Sequence, residues 1–396
     1  MTQHDDAVRA EAVRMARDAM SRRRFLGRAG ALFGGAMVAP AVLAACGSSS
    51  GSKAGGGGGG GAKSVHISNW TSYISAQSKK DFTRDTGIAL TYTEDVNDNN
   101  EYFAKVRPNL AKKRSIGSDA FVLTDWMANR MINQVKWTQP LVAAKFPNKK
   151  NLRAALQHPA FDPNRKSSAP WASGIAGIAY NVKTTGRDIK TIDDFLAVGG
   201  TKTVLSEMRD TLGLFMMADG KDIKKPTMAD AEPSFARIKQ ALADGKINGV
   251  NGNEYVNDLG SGNLAAAFAW SGDVAQIAKS NPNIKFAVPE SGGTLWSDNF
   301  MIPYTTEKAD LATEFVNFFY DPKNAAILTA EIQYISPVDG VAEELTKLGG
   351  DAAKLVDNPL VVPTDAFLST LSIFGVLDEK AEAAFDKRFA EVTGTG

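Results

Sequence analysis

From Lys63 onward, short apolar runs alternate with amphipathic stretches. Val65 to Ser68 is a short β-prone run, and a helical pattern follows from Ile74 to about Asp85, with Gly87 as its stop signal. Ile88 to Thr93 alternates as a strand. Glu101 to Lys112 is helical with Phe103, Val106 and Leu110 on one face, Ala120 to Leu123 is an apolar strand, and Met127 to Val135 is another helix. This order, with short connections, predicts a largely parallel sheet covered by helices. A second series begins near Trp171. Gly174 to Tyr180, Thr203 to Leu205, Leu264 to Trp270, Ile284 to Val288 and Phe300 to Pro303 read as strands. Asp210 to Met217, Ala231 to Asp244 and about Asp310 to Tyr320 read as helices, and the last forty residues are expected to be mainly helical, with Phe367, Leu371 and Phe374 spaced for burial. Two comparable α/β series predict two lobes facing each other across a cleft.

In open parallel sheets, ligands lie beyond the carboxyl ends of the strands. The first series places Asn69, Trp70, Thr71 and Tyr73, then Glu94 and Asp95, then Thr124, Asp125 and Trp126 at those ends. The second places Ser206, Glu207, Trp270, Ser271 and Asp273 there, and Trp296 and Asp298 sit near a crossing between the lobes. Four of the six Trp are among these residues, each beside a hydroxyl or a carboxylate. Any one of them reads equally well as core packing, and Glu94, Asp95 and Asp273 as solvated loop acids. Together they suit a flexible organic cation. Its ammonium ends need carboxylates when they lose water, and aromatic faces receive both its methylenes and its charge, at about 0.5–2 kcal/mol per cation–π contact.

The stretch before this body is of another kind. Ser21 to Leu26 reads S-R-R-R-F-L, and the uncharged run Ala29 to Ala45 follows. Arg22, Arg23, Phe25 and Leu26 resemble the twin-arginine export signal. At about 17 residues, with Gly and Pro inside it, the run is short for a membrane span of about 20. Leu43-Ala44-Ala45-Cys46 resembles the lipobox of bacterial lipoproteins, which implies cleavage before Cys46 and lipid on its sulfur. Residues 47–62, with seven consecutive glycines from Gly55 to Gly61, read as a flexible tether.

Charge and composition remove several function classes. The chain carries 45 Lys+Arg against 44 Asp+Glu; without residues 1–45, which hold seven Arg and four acids, 38 basic residues face 40 acidic ones, a net of −2. No electrostatic footprint for nucleic acid remains. The single cysteine makes no intramolecular disulfide or zinc site, and His66 and His158, the histidines after the leader, lack metal-ligand spacing. No nucleophile elbow or phosphate-cradling loop is present. No cofactor, metal site or catalytic residue is expected. An acid pair acting as a glycosidase is the enzyme alternative.

Several segments resemble one family, the polyamine (spermidine/putrescine) substrate-binding proteins of bacterial ABC transporters. Asn69-Trp70-Thr71-Ser72-Tyr73 is similar to its opening segment, whose Trp and Tyr flank the polyamine and whose Thr contacts an amine. Ser118 to Trp126 resembles its third strand, with Thr124 and Trp126 at the ligand-reaching positions. Ala269-Trp270-Ser271-Gly272 resembles a strand end with a stacking Trp, and Tyr334-Ile335-Ser336-Pro337 a later turn. Pro289 to Asp298 resembles the run in which a Trp packs on the ligand and an Asp pairs with an ammonium, here Trp296 and Asp298. The resemblance spans about 65 to 390. One departure stands out. The family's two second-lobe acids, three residues apart, fall on Met208 and Thr211 when aligned through Trp270, whereas Glu207 and Asp210 have that spacing one position early. Asp210 opens a helix, so capping is its other reading. Gly252, between Asn251 and Asn253, stands where a ligand-contacting serine is expected, and the family's C-terminal glutamine has no clear counterpart.

The resemblance implies an α/β, two-lobed periplasmic-binding-protein fold of type II, each lobe a mostly parallel sheet flanked by helices with the ligand cleft between. The expected organisation is a leader at 1–45, the lipidated Cys46 and tether at 46–62, one lobe from 63–171 plus 297–337, and the other from 172–296 plus 338–396, with hinges near 171–173 and 296–299. The expected ligand-binding residues are Trp70, Thr71, Tyr73, Thr124, Trp126, Glu207, Asp210, Trp270, Trp296 and Asp298. The expected partners are a polyamine or other small solute, such as a different amine, a sugar or an organic phosphate, and an ABC permease. A monomeric body is expected, exported and lipid-anchored at the outer face of the cytoplasmic membrane or in the periplasm; sensing through a receptor is the other role such a body serves.

Overall fold

The computed structural model describes residues 63–394; the expected leader, Cys46 and the tether lie outside the described residues. Eleven strands follow in chain order: β1 (Ser64–Trp70), β2 (Ala89–Val96), β3 (Ala120–Thr124), β4 (Thr138–Gln139), β5 (Ala169–Asn181), β6 (Lys202–Leu205), β7 (Gly249–Asn251), β8 (Ala266–Trp270), β9 (Ile284–Ala287), β10 (Gly293–Pro303) and β11 (Leu371–Ser372). The main path of the sheet runs β2-β1-β3-β10-β5-β8-β6-β7. At one end β1 pairs in parallel with β2 and β3; at the other β6 pairs in parallel with β7 and β8. These are the two lobes, each covered by helices.

Two long antiparallel strands join them. β5 begins opposite the part of β10 that pairs with β3, and ends against β8 and β9. β10 makes the reverse passage. Where they cross, Ser173 faces Ser297 with the hydroxyls 2.6 Å apart, and the register shifts between Asp298 and Asn299. Such a bulge re-aims neighbouring side chains. Asp298 turns to Thr124, while Asn299 accepts from the Arg165 guanidinium at 2.6 Å and donates to Asp125 at 2.6 Å.

Local chemistry explains the helix ends. The Ser75 hydroxyl accepts from the Ser78 amide at the start of the Ala76–Thr86 helix, and Gly87 ends it at φ +68°, a left-handed conformation that glycine adopts without steric cost.

The structure departs from the expected elements in several places. The segment 127–135 is not one α-helix: Asp125–Asn129 is α-helical, and Arg130–Gln134 forms a wider π turn. The expected strands at 174–180 and 300–303 are the ends of the thirteen-residue β5 and eleven-residue β10, because the antiparallel pairing of 169–176 with 294–300 carries both strands past Pro170 and Gly174. Trp171, within the span 63–171 expected for the first lobe, is stacked 5.7 Å from Phe315, with its indole N–H donating to the Tyr73 carbonyl. The last forty residues are less helical than expected: besides Glu379–Thr393 and the single turn Asp365–Leu368, β11 pairs with Gly293 and Thr294. After residue 337 the chain first bridges Val338 to Leu152 and forms the Val341–Leu348 helix beside Pro322–Ile332. It then reaches the second lobe, where Phe385 packs on Phe235. Among the described residues no helix is long and apolar enough to cross a membrane, and no cluster of His, Cys, Asp or Glu suits a metal.

Candidate ligand cavity between the lobes

A cavity of about 70 Å³ lies between the lobes, and all ten residues singled out from the sequence line it. Trp70, Thr71 and Tyr73 come from the end of β1 and the loop after it. Thr124 and Trp126 follow β3, Glu207 and Asp210 follow β6, Trp270 ends β8, and Trp296 and Asp298 lie inside β10. A buried water needs on the order of 10–15 Å³ by the same measure, so the space exceeds that of a single water several-fold.

The aromatic rings meet edge to face. Trp70 and Trp270 lie 5.7 Å apart, Trp270 and Trp296 6.3 Å, and Tyr73 stands 5.0 Å from Tyr334. Two glycines make room for them. A Cβ on Gly174 would lie 2.4 Å from the Trp296 ring, and one on Gly272 would lie 2.4 Å from the Tyr334 ring. The indole N–H groups of Trp70 and Trp296 and the side-chain oxygen of Asn253 are buried without a protein partner.

The carboxylates are held in a dry setting. Asp298, 3% exposed, accepts from the Thr124 hydroxyl at 2.9 Å. Burial raises its pKa to about 7, with Asp125 and Asp210 adding and the Thr124 and Tyr73 hydroxyls opposing. Asp210 accepts from the Trp270 indole at 2.8 Å and the Thr294 hydroxyl at 2.6 Å, and burial lifts it to about 6. Its carboxylate therefore serves the cavity and not the helix end, so the capping reading is overturned. Glu207 accepts from both the backbone and the side-chain nitrogen of Asn99, and burial, with Asp98 adding, pushes it well above the usual range. Met208 and Thr211 do not line the cavity; the Thr211 hydroxyl donates to the Leu205 carbonyl. Of these four positions, Glu207 and Asp210 are the two that line the cavity.

Sequence reasoning placed Asp273 as readily on the surface as in the site. It is buried, accepting from the Tyr255 and Tyr334 hydroxyls at 2.7 Å each, and burial raises it to about 6. Glu94 is exposed, and Asp95 pairs with Lys105 at 2.8 Å, both outside the cavity. Arg209, Asn253, Thr294, Leu295, Ile373 and Phe374 also line it and were not singled out. Asn253 and Thr294 sat in segments already marked by their neighbours. Arg209, Ile373 and Phe374 carried no strand-end signal, because a helix start and the C-terminal segment bring them in.

The sequence model of the bacterial extracellular solute-binding protein family matches residues 77–361. The chain belongs to this family. Among curated relatives, this solute-binding protein is 28% identical over 355 residues to the putrescine-binding periplasmic protein SpuD of Pseudomonas aeruginosa, covering 83% of this chain and 92% of that one. It is 26% identical to the putrescine-binding periplasmic protein PotF of Escherichia coli, covering 83% and 91%. Among solved structures it resembles a putative spermidine/putrescine ABC transporter protein from Listeria monocytogenes, with TM-score 0.74, 22% identity, and 84% and 100% coverage. A second is the spermidine/putrescine substrate-binding protein PotD of Streptococcus pneumoniae, with TM-score 0.67, 22% identity, and 83% and 98% coverage. The fold of this solute-binding protein is therefore that of the periplasmic binding proteins, with its cleft between two lobes.

Proposed function

We propose that the chain captures a polyamine of the putrescine type outside the cytoplasm and delivers it to an ABC permease, without converting it. The observation that carries this reading is an aromatic cavity holding Asp298 and Asp273, neither of which forms an ion pair with a protein cation among the described residues. Desolvated acids without a counter-charge call for a ligand that brings one. A neutral sugar would use the aromatic walls and leave the acids uncompensated. The names of the curated relatives point the same way. In this reading the lobes open and close about the paired strands near Ser173 and Ser297. The Arg22-Arg23 leader and Cys46 supply export and a lipid anchor, and the body acts as a monomer.

A thermal-shift titration against putrescine, spermidine, sugars and amino acids tests the ligand class. A ligand at about 100 times its Kd stabilises the body by roughly 2.7 kcal/mol. A shift with amines alone is expected; a response only to a neutral solute overturns the polyamine reading. For the anchor, Cys46→Ser is expected to move the protein from the detergent to the aqueous phase.

A further inference from the structure

Trp126 lines the cavity, yet its ring already carries cations. The Arg209 guanidinium lies 3.8 Å from the ring centroid and that of Arg130 5.2 Å from it. Both are tied to one acid of the C-terminal helix: Arg209 donates to Glu382 at 2.6 Å, and Arg130 reaches Glu382 at 3.2 Å and Asp386 at 3.3 Å. The parts come from different places in the chain. Arg130 sits in the π turn of the first lobe, Arg209 in the first turn of the Met208–Ala218 helix, and Glu382 and Asp386 in the Glu379–Thr393 helix. Arg209 is only 7% exposed, lines the cavity, and keeps its Nε buried without a partner.

The cavity therefore has two unlike ends. Asp298, Asp273 and the rings of Trp70, Trp270 and Trp296 stand without a protein cation, whereas the Trp126 ring holds a guanidinium 3.8 Å from its centroid, within the range at which a ligand ammonium would stack. From this arrangement we infer that Arg209 is a specificity-determining residue: it fills the cation place on Trp126 and limits the ligand to a short diamine, turning away a longer triamine whose third ammonium would face it. Like charge placed against a competing ligand discriminates without any added attraction to the preferred one. The inference rests on the polyamine reading and deepens it.

The test is calorimetric titration of the full-length chain in detergent with putrescine, spermidine and 4-aminobutanoate, for the natural protein, Arg209→Met and Arg209→Lys. Both substitutions disturb the planar guanidinium on Trp126 and its bond to Glu382, but only methionine removes the charge. Thermal denaturation of each variant checks that it is folded. The natural protein and Arg209→Lys are expected to prefer putrescine over spermidine by tenfold or more, and Arg209→Met to lower that ratio at least fivefold. An unchanged ratio in Arg209→Met, or the same loss in Arg209→Lys, overturns the inference by showing a role in packing alone. Tighter binding of 4-aminobutanoate than of putrescine overturns it by making Arg209 a receptor for a carboxylate. If the natural protein binds neither amine, the polyamine reading itself fails, an outcome distinct from binding with an unchanged ratio.

Discussion

Asn99 and Glu207 stand on opposite lobes, and Glu207 Oε1 accepts both the Asn99 backbone N–H at 2.8 Å and its side-chain N–H at 2.7 Å. The same Asn99 side chain donates to Thr124 at 2.8 Å, and Thr124 donates to Asp298. An acid with the spacing of a ligand anchor is thus engaged in holding the lobes together. Nearby contacts do the same: Ser206 donates to Asp98, and Asn97 donates to Glu254. Glu207→Gln retains an oxygen that accepts from Asn99, and burial already favours the neutral acid, so ligand affinity is expected to stay within about threefold. Glu207→Ala leaves two buried donors unmet and is expected to weaken binding by about 1–3 kcal/mol. A loss larger than tenfold in Glu207→Gln, measured by calorimetry, would instead make Glu207 a direct anchor for an ammonium.

Asp298→Ala is expected to weaken binding by about 2–5 kcal/mol, the range for removing one partner of a buried, hydrogen-bonded charge pair. Calorimetric titration checks it. Unchanged affinity would remove Asp298 from the site.

The raised acids give a pH dependence with a definite sign. Asp298 titrates near 7 and Asp125, Asp210 and Asp273 near 6 in the folded protein, all above the ordinary value of 3.8. Between about pH 4 and 7 the folded state binds more protons than the unfolded one, so the unliganded body loses stability from these groups as pH rises through that window. A cationic ligand needs the ionised acids. Its affinity is therefore expected to fall below about pH 7, by up to tenfold per pH unit for each proton that must leave. Thermal shifts with putrescine should be larger at pH 8 than at pH 5.5, and binding near pH 6.5 should release protons, seen as heats that vary with buffer. Equal shifts at both pH values would contradict this.

Gly174→Ala puts a methyl group into the Trp296 ring across the β5–β10 pair. The ring must move, at a cost of about 1–3 kcal/mol for overpacking. A lower Tm and a changed tryptophan emission are expected, with weaker ligand binding because Trp296 is one wall of the cavity.

The elements with strong periodicity or clear stop signals were legible in the sequence: the Ala76–Thr86 helix before Gly87, the Met228–Ala243 helix, and the short parallel strands β1, β3, β6 and β8. The lengths of β5 and β10 were not, because Pro170 and Gly174 are weak strand formers taken locally, while the β5–β10 pairing carries the strands through. The same holds for the site. Strand-end position brought Trp70, Thr124, Trp270 and their neighbours forward, since a parallel sheet presents those ends to one cleft.

What the sequence determined by itself was the α/β series, the strand ends that meet at the cleft, and the aromatic and acidic character of the residues there. Local spacing and residue type suffice for that. Tertiary structure alone decided that Asp273 is buried and not solvated, that Asp210 serves the cavity and not its helix, that Glu207 clasps Asn99, and that Arg209 reaches Trp126. Each of these depends on partners distant in the chain, and burial, which sets the charge state of an acid, is a property of the assembled lobes and of no single segment.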